Sequence, residues 1–85
     1  MMVLRLNQDV TVENPRQHAA EDVAVVRNLL TAGAIARPDP QRVNFYELEA
    51  GNRVFYIHIS PVTGHVLLLA SWTADPGPRQ AATGA

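Results

Sequence analysis

Eighty-five residues with seven Arg, no Lys and eight carboxylates, a net charge of −1, hold no basic patch suited to a phosphate backbone or an anionic membrane. The absence of Cys removes disulfides, thiolate metal sites and thiol nucleophiles together. No apolar run approaches membrane-spanning length, and Arg5 and Asp9 interrupt the short apolar runs at the amino end, so neither a span nor a signal peptide is expected and the cytoplasm is the default setting.

From Met2 to Glu13 the residues alternate. Met2, Leu4, Leu6, Val10 and Val12 are apolar, and Arg5, Asn7, Asp9, Thr11 and Glu13 are polar. Period two with one polar face predicts a half-buried strand; the Asn7, Gln8, Asp9 cluster could equally bend it into two short ones, and the reading taken is one strand, kinked there. Asn14-Pro15 then reads as a helix start: Asn accepts from an orphan backbone N–H, Pro has no N–H to lose, and Gln17 completes a box-like spacing. Ala19, Val23, Val26, Leu30 and Gly33 form an apolar stripe at helical spacing, flanked by Leu29, while Glu21, Asn28 and Thr31 point away. Gly33 can supply a left-handed cap, and with Pro38 and Pro40 beyond it residues 34–41 read as a connector.

Val43 to Glu49 and Arg53 to Ser60 are rich in aromatic and β-branched types and are separated by Gly51-Asn52, a pair suited to a tight hairpin turn. That turn sets Ala50 against Arg53, Leu48 against Phe55 and Tyr46 against Ile57. A second turn, Pro61-Val62-Thr63-Gly64, joins Ser60 to His65 as a four-residue loop. Counting on from it pairs Ile59 with Val66, Ile57 with Leu68, Phe55 with Ala70 and Arg53 with Trp72. Both turns place Tyr46, Leu48, Phe55, Ile57, Ile59, Val66, Leu68, Ala70 and Trp72 on one face, which the helix stripe should cover.

The expected fold is therefore α+β: one helix on one face of a mainly antiparallel four-stranded sheet, in the chain order β-α-β-β-β. It is expected as a single domain over residues 1–73, with a disordered tail over 74–85, where Asp75-Pro76-Gly77-Pro78 opens an Ala, Thr, Gly-rich end. The first strand fits either beside the last strand or beside the Val43 strand.

The opposite face collects Phe45, Val54, Tyr56, Leu67 and Leu69 with Glu47, His58 and Ser71, and one helix cannot cover both faces. Burying five such side chains would contribute about 8 to 15 kcal/mol, against an association cost of about 4 to 15 kcal/mol. An apolar centre with a polar border is interface anatomy. Phe45, Glu47, Val54, Tyr56, His58, Leu67 and Leu69 are therefore the candidate interface of a non-enzymatic interaction module, with a second copy or another protein as partner. Nucleic acid and membrane are not expected as partners.

Chemistry is sparser. Glu47 lies across from Tyr56 and diagonal to His58, which permits an acid–base pair, but half-exposed sheets commonly gather such neighbours, and no catalytic residue is assigned. His18, His58 and His65 share no spacing that would converge on a metal, and Gly64 precedes no helix that could cradle a phosphate, so no metal or cofactor is expected. Phe45-Tyr46-Glu47-Leu48-Glu49, Gly51, Val54-Phe55-Tyr56-Ile57-His58-Ile59 and Pro61-Val62-Thr63-Gly64-His65-Val66-Leu67 together resemble the closing half of a PepSY-type domain. Here Ser60-Pro61 stands where that family carries an acidic residue before the Thr-Gly turn. The resemblance implies a peptide- or small-ligand-binding regulatory role and carries over no site residue.

Overall fold

In the computed structural model, residues 1–6 and 9–74 are described. They form β1 (Met2–Leu4), β2 (Val12–Glu13), α1 (Ala20–Ala32), β3 (Ala34–Pro38), β4 (Phe45–Ala50), β5 (Arg53–Ile59) and β6 (Val66–Thr73). The strands make one sheet in the order β1-β3-β4-β5-β6-β2, antiparallel throughout except that β2 runs parallel to β6. The α+β class is as expected. The sheet has six strands and is mixed, where four mainly antiparallel ones were expected.

Turn chemistry sets the centre of the sheet. Gly51, at φ +62°, reverses the chain so that Ala50 faces Arg53, Leu48 faces Phe55 and Tyr46 faces Ile57. At the second turn the Ser60 N–H donates to the His65 carbonyl at 2.9 Å and the Gly64 N–H to the Ser60 carbonyl at 2.9 Å. The Ser60 hydroxyl accepts from the Val62 and Thr63 N–H groups, each at 3.2 Å, so the loop closes on its own first residue. On the face so defined Val26 and Leu30 of α1 meet Leu48, Phe55, Ile57, Val66 and Leu68, each essentially inaccessible to water.

Four expectations are corrected. The amino-terminal alternation is divided, and its two halves lie on opposite rims: β1 beside β3, and β2 beside β6. The Leu6 N–H donates to the Leu30 carbonyl at 2.9 Å, which ties the chain leaving β1 to the carboxyl end of the helix. The helix begins at Ala20, with Ala19 as a cap residue that makes no side-chain bond. Asn14 is occupied elsewhere. Its side chain accepts from the His18 N–H and donates to the His18 carbonyl, both at 2.7 Å, and so closes a local loop in which Gln17 sits at φ +57°.

Residues 34–38, read as connector, are a strand. Ala34 and Ala36 are buried against the core while Ile35 and Arg37 face out. Two small inward residues carry little apolar signal. Pro38 is tolerated because it is the strand's last residue.

The fourth correction is a bulge. Ile59↔Val66, His58↔Leu67 and Ile57↔Leu68 pair as the turn dictates, but Tyr56 then faces Ala70, leaving Leu69 as an extra residue. Beyond it Phe55 faces Ser71 and Val54 faces Trp72, so every later residue of β6 changes sides. Ser71 arrives on the helix side, where its hydroxyl accepts from Arg53 Nη2 at 3.3 Å, and the same nitrogen reaches Asp22 of the helix at 3.4 Å. Trp72, expected under the helix, is 42% exposed on the opposite face. Of the expected tail only Ala74 is described, its N–H bonded to the Asn52 carbonyl; residues 75–85 lie outside the described residues.

Candidate functional site

The pleat sends alternate residues of each strand to the face without the helix, and the register aligns them in rows. One row crosses five strands in direct opposition, Val3↔Ile35↔Glu49↔Val54↔Trp72. Val3, Ile35 and Trp72 are exposed at 72%, 47% and 42%. Val54 is already buried within the chain, which leaves it little to offer a partner. Glu49, the middle member of the row, pairs with Arg37, its Oε2 2.7 Å from Arg37 Nη2, so an ion pair interrupts the apolar side chains.

A second region lies two to five residues along the strands. Phe45, Tyr56 and His58 adjoin Leu67, Leu69 and Ala70 around a cavity of about 370 Å³. The ring centroids of Phe45 and His58 are 4.4 Å apart and those of Phe45 and Tyr56 5.8 Å, an aromatic cluster built from directly paired and diagonal strand positions. Two arginines complete the lining. Arg42, in the loop before β4, lays its guanidinium 3.9 Å above the Phe45 ring. Arg16 comes from the Asn14–His18 loop that follows β2, on the far side of β6.

The polar groups here are committed in particular ways. The Tyr56 hydroxyl donates to Asp39 Oδ2 at 2.6 Å. That bond, the Gln41 N–H and the nearby Arg42 charge hold the Asp39 carboxyl below its ordinary value, while accepting the proton of Tyr56 pushes the Tyr56 phenol above its own. His58 Nδ1 lies 3.2 Å from the Asn44 carbonyl, which can only accept, so this nitrogen carries the proton. Glu47 faces Tyr56 as the register requires, yet its carboxylate makes no hydrogen bond among the described residues.

All seven residues singled out from the sequence, Phe45, Glu47, Val54, Tyr56, His58, Leu67 and Leu69, belong to this face, and five of them line the cavity: Phe45, Tyr56, His58, Leu67 and Leu69. Sequence reasoning missed Ile35 and Val3, because β3 went unrecognised, and Trp72, because of the bulge. It also missed Arg16, Arg42 and Asp39, loop residues whose approach to the sheet no periodicity encodes. Among the described residues no group of three or more His, Asp or Glu is arranged to hold a metal ion, and no helix is long and apolar enough to cross a membrane. No family model, curated protein or solved structure matches the chain.

Proposed function

We propose that the chain is a non-enzymatic interaction module that pairs with a second copy of itself through the sheet face left bare by the helix. The observation that carries this reading is the exposure of Val3 and Ile35 at one end of the row and of Trp72 at the other, with Glu49 and the buried Val54 between them. Large apolar side chains left exposed on the helix-free face, two of them neighbours on adjacent strands and the third a tryptophan, are of the types that anchor protein interfaces, and the Arg37–Glu49 pair between them can fix the register of a partner.

Trp72 is the chain's only tryptophan, so its fluorescence reports on this surface without labelling. Its emission should move to shorter wavelength as protein concentration rises, in step with a doubling of mass by light scattering. Ile35→Arg should give a folded monomer whose Trp72 emission no longer depends on concentration, and Trp72→Arg should be monomeric by scattering. Persistence of the dimer in both variants would remove the proposal.

A further inference from the structure

The cavity between Phe45, His58 and the β6 leucines lies apart from the row that carries the proposed pairing. Its floor is apolar and partly aromatic, formed by Phe45, Leu67 and Leu69, while the Arg42 guanidinium lies over Phe45 at one side and Arg16 lines it from the loop beyond β6. Among the described residues neither Arg16 nor Arg42 forms an ion pair; the arginines that do are Arg37 and Arg53. Stacking on Phe45 occupies the face of the Arg42 guanidinium rather than its edge; part of that edge lies against Tyr56, and the remaining N–H groups can bond a carboxylate. Arg16 is held near by the two hydrogen bonds between Asn14 and His18 that close its loop.

The charge balance narrows the ligand further. Asp39 is close enough to Arg42 to feel its charge, and Tyr56 and Gln41 keep it ionised. The lining itself carries two arginines and no carboxylate, while Asp39 and Glu47 stand at its margin, which suits a single carboxylate better than a phosphate dianion and disfavours a cation. The cavity volume falls at the small end of the range for organic ligands.

We infer that this cavity is a binding site for a small aromatic monocarboxylate, its ring against Phe45 and the β6 leucines and its carboxylate between Arg42 and Arg16. The site lies within one chain and does not depend on self-association. It is tested by titrating the protein and its Trp72→Arg variant with 2-naphthoate by calorimetry, with 2-naphthamide and inorganic phosphate in parallel. Naphthoate should bind both proteins alike, roughly tenfold or more tighter than either the uncharged amide or the ringless anion, as expected for charge-assisted bonds. Arg42→Gln and Arg16→Gln, both at exposed positions, should each weaken naphthoate roughly tenfold with circular dichroism unchanged. The inference is overturned if naphthoate does not bind, if the amide or phosphate binds as tightly, or if either arginine variant binds as well as the parent. Loss of binding in a folded Trp72→Arg protein would also overturn it, by placing the site between chains; Ile35→Arg serves the same comparison should Trp72→Arg not fold.

Discussion

The two faces of the sheet are drawn from alternate residues of the same strands, and they are held by different physics. The covered face is apolar and closed at its centre: Leu48, Phe55, Ile57, Val66 and Leu68 meet Val26 and Leu30 with essentially no exposed surface. The bare face is aromatic and polar at one end, where Phe45, Tyr56 and His58 adjoin Arg42 and Asp39, and apolar but open at the other, where Ile35 and Trp72 stand out. Burial on the covered face is complete before any second molecule arrives, so that face stabilises the fold. The bare face keeps side chains that are only half satisfied, and those are what a partner or a ligand can improve.

The sharpest test of this contrast sets two phenylalanines against each other. Phe55→Ala, on the covered face at 1% exposure, should cost about 3 to 5 kcal/mol in denaturant unfolding. Phe45→Ala, half-buried on the bare face, should cost about 1 to 2 kcal/mol. Equal losses would break the distinction, because the bare face would then be as integral to folding as the covered one. Gly51→Ala tests the turn on which both faces depend. A Cβ there meets no atom within 4 Å, so the expected loss of about 1 to 2 kcal/mol comes from the φ of +62° alone and should leave the pairing of Leu48 with Phe55 intact by cross-strand proton contacts.

The smallest effect concerns the link between Tyr56 and Asp39. Asp39 titrates below its unfolded value, so its contribution is present above about pH 4 and is lost as pH falls through the lowered value. Tyr56 titrates above its unfolded value of 10.0, so its contribution is present below that pH and is lost as pH rises through the raised value. Tyr56→Phe should therefore lower stability slightly between these limits, and the difference from the parent should shrink toward both extremes. A difference independent of pH would mean that the bond between the two side chains contributes nothing.

Much of this contrast is written locally in the chain. Gly51-Asn52 and Pro61 to Gly64 impose a register by turn geometry, and every pair from Ala50↔Arg53 through Phe45↔His58, and from Ile59↔Val66 to Ile57↔Leu68, follows from them. What escaped is non-local or weakly signalled. Ala34 and Ala36 carry too little hydrophobic contrast to mark a strand, and Asn14 has the chemistry of a helix cap but spends it on the His18 backbone. The bulge at Leu69 is the clearest case. Six apolar or small residues in succession, Val66 to Ser71, give no break in pattern, and Ser71 finds partners only once Arg53 and Asp22 have come together in three dimensions.

The two rims of the sheet are unevenly covered. β1 pairs with three of the five residues of β3, whereas β2 pairs with only Val66 and Leu67 of the eight in β6. Among the described residues Leu68 to Thr73 therefore pair with no strand on that side, and their outward N–H and C=O groups form an open ledge. An extended segment laid along that ledge would lengthen the sheet by one strand and leave both of its faces as they are.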